Sequence, residues 1–325
     1  IFDKKILYKH ILEEKLSDAY ESYILGKNGD LYVWMKENAI SKSTYSIWAK
    51  YCLDCSYTDL TERNRDISLF VKDSYGLPYI PGSSLKGAVR TALLGYKLSK
   101  NSQMGQLQSD IRYNSRARNR DELSKKLRES SRILEETFHT LEREKVKKEN
   151  AVCDELSGMR ISDSKPMSVK DLILCQKIDK NIDGKDRVLP IFRECLKPKT
   201  KIYFDMTIDE SICNYRKEDI LEAVKYFFNN TNKQYKKYGA LSPDRKYVIT
   251  IGGGAGYISK TVPYNMYSDK EAVQVVSNIL EAYTPKAHGH RGDSRKGVSP
   301  HTLKITKYNG RTYQFGQCEI KITES

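Results

Sequence analysis

One stretch, LPYIPGSSLKGAVRTALLGY from Leu77 to Tyr96, dictates more of the fold than any other part of the chain. Pro78 and Pro81 hold its approach extended, because proline fixes φ and pushes the preceding residue out of the α region. Gly82 lets the backbone turn, and Ser83 or Ser84 is expected to cap the helix that follows. Leu85, Val89, Ala92, Leu93 and Tyr96 recur at helical spacing and give that helix a buried side. Lys86 and Arg90 stand four residues apart on its other side, a like-charge pair costing roughly 0.2–0.5 kcal/mol. Both lie near the positive end of the helix dipole, which disfavours them further. An anion at this end removes the conflict, so free N–H groups, hydroxyls and two cations together describe a phosphate-binding site. The plainer reading, a capped surface helix with two solvated cations, stays open on these residues alone. A nucleotide-binding P-loop fails on register, because Ala88 and Val89 stand where Lys and Ser/Thr are required.

The overall charge favours the first reading. A net charge of +14 and a pI near 9.2 suit a polyanionic partner, of which nucleic acid is the commonest. A mean hydropathy of -0.64 and the lack of a long apolar run leave no candidate membrane span. Seven scattered cysteines do not form a disulfide framework and suit a reducing cytoplasm. Cys52 and Cys55 make one half of a zinc motif with no second half at usable spacing, so no metal site or cofactor is expected.

In chain order, residues 6–25 and 30–50 carry helical periodicity. Residues 67–72 alternate as a strand, with 77–80 expected to return as its hairpin partner. Residues 97–150 turn polar and helical, with Arg112, Arg116, Arg118 and Arg120 clustered within them. Strands are expected over 170–178, 201–209, 247–251 and 311–323, and helices over 218–238 and 272–283. The run Gly252-Gly253-Gly254 ends one strand, where backbone can approach a ligand and offer successive N–H groups. Lys260 lies just beyond it, and His288 and Arg291 sit on a later basic, glycine-rich loop. Strands interspersed with helices and no long βαβ series point to an α+β fold.

The segment IPGSSLKGAVRTALL resembles the signature of the RAMP superfamily of CRISPR RNA-binding proteins. Together with Arg160-Ile161-Ser162-Asp163-Ser164-Lys165-Pro166 and with Ile251 to Gly256 followed by Ser259-Lys260-Thr261, it is similar to the family of fifth subunits of type III-A Csm effector complexes. The resemblance implies two ferredoxin-like (RRM-like) domains, over 1–166 and 167–325. The first carries the helical insertion at about 97–150 and has its opening strand upstream of Ile1. It also implies a non-catalytic subunit that holds the 3′ region of the CRISPR RNA at the end of a filament and takes part in its maturation. Its partners would be the CRISPR RNA, target RNA when assembled, the neighbouring backbone RAMP subunit and a small helical subunit, in the cytoplasm. The residues expected at the RNA are Gly82, Ser83, Ser84, Lys86, Arg90, Lys165, Gly252, Gly253, Gly254, Lys260, His288 and Arg291. No catalytic residue is expected. The competing reading is a RAMP-type ribonuclease with Asp163 or His288 as acid or base, for which no partner group is visible.

Overall fold

The computed structural model describes residues 1–26, 30–60, 66–101, 104–117, 119–239, 245–285 and 288–324. The chain begins with α1 (Lys4–Glu13), α2 (Ser17–Leu25), α3 (Leu31–Glu37), α4 (Lys42–Ile47) and β1 (Asp66–Ser68). The motif helix α5 (Gly82–Lys100) follows, then α6 (Gly105–Asn114), α7 (Arg120–Glu136), β2 (Met159–Ile161), β3 (Leu172–Asn181), β4 (Asp186–Leu196) and β5 (Met206–Ile208). The remainder is α8 (Lys217–Lys236), β6 (Val248–Thr250), α9 (Pro263–Met266), α10 (Asp269–Tyr283), α11 (Asp293–Lys296), β7 (Thr302–Tyr308), β8 (Arg311–Gln314) and β9 (Gln317–Glu319). This is the expected α+β mixture. No helix among the described residues is long and apolar enough to cross a membrane.

The chain divides into two discontinuous units. The first comprises Ile1–Pro78, Met167–Gln176 and Pro190–Thr200. Its helices bury Leu7, Ile11, Trp34, Met35 and Trp48 together, with the Phe2 ring edge-on to Trp48 at 5.8 Å. The Asp3 carboxylate caps α1 by accepting from the Lys5 N–H at 2.9 Å, satisfying a donor the helix cannot. β1 pairs parallel with β4, Ile67 opposite Phe192. The hairpin expected at 67–72 and 77–80 shrinks to a single bridge between Lys72 and Pro78, since proline has no N–H to extend a ladder. The turn between them is as expected: the Asp73 carboxylate accepts from the Tyr75 and Leu77 N–H groups, and Gly76 takes φ +82.

A buried carboxylate ties this unit together. Glu194 on β4, with a fully buried side chain, accepts from Tyr51 Oη at 2.5 Å, the Phe70 N–H at 2.8 Å and Lys72 Nζ at 2.5 Å. Burial and the neighbouring carboxylate push the Tyr51 phenol well above the ordinary tyrosine range, which keeps it a donor to Glu194.

The second unit comprises Tyr79–Pro166, Lys177–Leu189 and Lys201–Ser325. Val89, Ala92 and Leu93 of α5 share its main core with Ala223, Val224 and Phe227 of α8. Gly95 permits the close approach, since a Cβ there would lie 3.0 Å from the Phe227 ring. β2 pairs antiparallel with β5, Met159 opposite Ile208, so the expected 201–209 strand is confined to its last residues. β6 pairs with β9, and the end of β3 with β7, which also pairs with β8. The single strand expected over 311–323 is two, broken at Gly316 with φ +73. A second core gathers Tyr235, Tyr264, Val273, Val276, Val298 and Ile305.

Candidate nucleic-acid interface

The amino end of α5 is built by two segments far apart in sequence. Ile80 and Ser164 exchange two hydrogen bonds, the Ile80 N–H donating to Ser164 Oγ and the Ser164 N–H to the Ile80 carbonyl, each 2.9 Å. The Gly82 N–H donates to Asp163 Oδ1 at 2.8 Å. A Cβ on Gly82 would lie 2.2 Å from the Ile161 carbonyl oxygen and 2.3 Å from that of Ser162, so only glycine fits where the helix meets this backbone. The other side of the 161–165 segment is held by the Ser162 and Lys165 N–H groups donating to the Asp205 and Tyr203 carbonyls, each 2.9 Å.

This corrects the expected capping. The helix begins at Gly82 with Pro81 in the cap position and no cap from its side chain, so Ser83 and Ser84 fall inside the first turn and stay exposed. Proline's fixed φ of -58 suits that position. An internal carboxylate, Asp163, already sits at the positive helix end. Replacing Asp163 by alanine is expected to cost about 1–2 kcal/mol of stability in urea denaturation and to speed hydrogen exchange at Gly82.

The two cations of α5 are also satisfied from within the chain. Lys86 Nζ donates to the Met159 carbonyl at 2.7 Å, and burial pulls its ammonium below the ordinary lysine value. Arg90 donates through Nη1 to Asp154 at 2.5 Å and through Nε to Glu135 at 2.6 Å, its guanidinium lying 4.4 Å over the Phe138 ring. The like-charge conflict read from the sequence is real, and these carboxylates relieve it.

The glycine run follows β6. Gly252 takes φ +86 and is exposed, Gly253 is exposed, and a Cβ on Gly254 would lie 2.8 Å from the Phe315 ring. The exposed Lys260, at the end of the 3-10 turn Tyr257–Lys260, reaches back to donate to the Gly252 carbonyl. Ala88 and Ala92 of α5, Thr250 and Ser259 beside the glycine run, and Phe227 and Thr231 of α8 line one small cleft. The cleft thus lies between the middle of the motif helix, α8 and the β6 strand that leads into the glycine run.

Lys165 is exposed, and none of the described residues makes a hydrogen bond or ion pair with its ammonium. His288 and Arg291 lie elsewhere, on the turn after α10, and do not line the cleft. The Arg291 guanidinium lies 3.3 Å from Glu281 with its side chain 88% exposed. Of the arginine cluster, Arg112 pairs with Glu271 at 2.8 Å and Arg120 lies over the Tyr283 ring, while Arg118 is outside the described residues.

Residues 21–258 of this α+β chain match the RAMP superfamily. A protein described as CRISPR system Cms protein Csm5 from Mycobacterium tuberculosis is 32% identical over 272 residues, covering 79% of this chain and 67% of that protein. The Csm5 of Streptococcus thermophilus is 28% identical over 276 residues, covering 78% and 69% respectively. The chain belongs to the Csm5 family of the RAMP superfamily, the fifth subunits of type III-A CRISPR-Cas Csm complexes. Among solved structures, one described as a Csm-crRNA-target RNA ternary complex superposes with a TM-score of 0.59 at 18% identity, covering 98% of this chain and 90% of that chain. The crystal structure of T. onnurineus Csm5 superposes with a TM-score of 0.56 at 18% identity, covering 81% and 84%.

Proposed function

We propose that this chain is a non-catalytic RNA-binding subunit of a cytoplasmic type III-A Csm complex. It holds the 3′ region of the CRISPR RNA at the end of the subunit filament and takes part in its maturation. The backbone RAMP subunit and the small helical subunit are its neighbours, and target RNA meets it in the assembled complex. The division into RRM-like halves at 1–166 and 167–325, the first with a helical insertion, belongs to the same proposal.

One observation carries the reading: the start of α5, the 161–165 segment and the glycine loop leave Ser83, Ser84, Lys165, Gly252, Gly253 and Lys260 exposed on one unit of a chain with a large positive charge overall. Exposed backbone amides and point charges suit phosphates and read shape in preference to base identity. Lys86 and Arg90 would act from behind, as charges already anchored on Met159, Glu135 and Asp154. Gly82 and Gly254 would shape the two loops, and His288 and Arg291 would touch RNA on a separate turn.

Arg90→Glu is a poor probe, because it sets an acid against Glu135 and Asp154 and unsettles the fold itself. Lys165→Ala with Lys260→Ala spares those pairs. In the reconstituted complex the double variant is expected to lower the slope of log affinity for guide RNA against log salt by roughly 1.4, about 0.7 for each phosphate left without its lysine. An unchanged slope with unchanged guide length removes the proposal. Asp163→Asn keeps an oxygen on the Gly82 N–H and is expected to leave guide trimming intact; trimming by the isolated chain that this change abolishes would instead make the chain a ribonuclease.

A further inference from the structure

Behind the basic turn lies a group of side chains that RNA binding does not use. Asp293, at the start of α11 and 0% exposed, holds two histidines with its two carboxylate oxygens. His290 Nδ1 is 2.9 Å from Oδ2 and His301 Nδ1 is 2.7 Å from Oδ1. Ser299 Oγ donates to Oδ2 at 2.7 Å. A second ring of bonds fixes the backbone around them: Ser277 Oγ donates to the His290 carbonyl at 2.8 Å, and Tyr264 Oη to the Ser299 carbonyl at 2.5 Å. Gly289 and Gly297, both in the left-handed region at φ +61 and +69, close the loop that carries His290 and Asp293.

We propose that His290, Asp293 and His301 form a binding site for a divalent transition-metal ion of the zinc class. One nitrogen from each ring and one carboxylate oxygen lie within 4.8 Å of one another. The two imidazoles are also spaced as co-ligands. Rings bound to one tetrahedral ion at about 2.0–2.1 Å per bond have centres about 5 Å apart, and here the centres are 4.9 Å apart with the planes at 42°. Imidazole nitrogen with a carboxylate is a donor set that zinc and its neighbours take in preference to magnesium or calcium, which favour all-oxygen sites.

The ion would sit between the two Nδ1 atoms and the carboxylate, replacing the two separate bonds to Oδ2 and Oδ1. Each neutral ring then carries its proton on Nε2, and no net proton is lost. Ligand atoms of one tetrahedral ion stand about 3.3 Å apart, so the bonded nitrogen–oxygen pairs, at 2.9 and 2.7 Å, open by about half an ångström while ring rotation draws the wider pairs, now within 4.8 Å, together. Ser299 remains bonded to the carboxylate and orients it from outside the ligand set. Entry is from the side of His301, whose ring is partly exposed. The role is structural: one ion joins the turn after α10 to the residue that leads into β7, where His301 stands.

The test uses the full chain. After treatment with EDTA and addition of one equivalent of Co2+, the protein is expected to show the visible absorption of cobalt in a nitrogen–oxygen site. Zn2+ should abolish that band, and elemental analysis after dialysis should find one zinc per chain. His301→Ala removes the most accessible ligand and is expected to weaken zinc binding more than about 100-fold. Ser299→Ala leaves all three ligands in place and is expected to weaken it roughly 10-fold. Absence of the cobalt band with substoichiometric zinc in the unmodified chain overturns the site, as does zinc affinity unchanged in both variants. The cobalt spectrum of the unmodified chain keeps the test valid should His301→Ala fail to fold.

Discussion

Gly82→Ala is expected to lower stability by about 3–5 kcal/mol and to dismantle the start of α5. Overpacking a close-packed site costs about 1–3 kcal/mol and more when backbone must move. Here the intruding Cβ meets two main-chain carbonyl oxygens at 2.2 and 2.3 Å, neither of which can swing aside as a side chain would. Any shift that relieves the collision stretches the bond from the Gly82 N–H to Asp163, and charge-assisted bonds contribute about 1.5–3 kcal/mol. The comparison variant lies five residues along the same helix. Gly87 is exposed and a Cβ there meets nothing within 4 Å. At that position alanine is expected to stabilise by up to about 1 kcal/mol through helix propensity alone. Urea denaturation followed by circular dichroism reads both. Equal effects of the two substitutions would show that Gly82 is not the contact point described.

Glu194→Ala is expected to destabilise the first unit by about 3–5 kcal/mol. Removing one partner of a buried ion pair leaves the other charge uncompensated, and that loss exceeds the net worth of the pair. Among the described residues, Lys72 would keep the Phe70 carbonyl at 3.3 Å and the face of Tyr51, its ammonium 4.9 Å from the ring centre. Tyr51 Oη and the Phe70 N–H lose their acceptor as well. Glu194→Gln keeps an acceptor for two of the three donors and is expected to cost less, about 1–3 kcal/mol. Combining Glu194→Leu with Lys72→Met removes both charges and is expected to recover part of the loss, since apolar replacement of a buried pair is often neutral. A Glu194→Ala protein within about 1 kcal/mol of the parent in urea denaturation would contradict this account of Glu194.

Both residues mark the boundary of what could be read from the chain alone. The periodicity of Leu85, Val89, Ala92 and Leu93 predicts α5, because residues on one helix face are spaced by the helix itself. The same holds for Ile220, Val224 and Phe227 in α8. Partner choice carries no such local spacing. Asp163 lies 81 residues from the Gly82 amide it satisfies, and Arg90 pairs with Glu135 and Asp154 across 45 and 64 residues. An anion-seeking helix end and two conflicting cations are legible in the residues themselves; whether a ligand or the chain resolves the conflict is not. The expected serine caps failed for a similar reason, since Pro81 and the close packing of Gly82 place the cap two or three residues earlier in the chain. In the same way, a search for zinc motifs by cysteine spacing passes over His290, Asp293 and His301, which a turn and the start of β7 bring to one carboxylate.

What the sequence determined unaided was the family, the α+β class, the main helices and the basic character of the chain. Each of these is encoded in composition, in short motifs or in the spacing of neighbours along the backbone. What only the tertiary structure decided was occupancy: which carboxylate sits at the positive end of α5, which cations are already paired, and which polar groups remain open beside the glycine loop. Those outcomes depend on contacts between residues tens to over a hundred positions apart, and chain spacing holds no record of them until burial of the apolar faces forces the segments together.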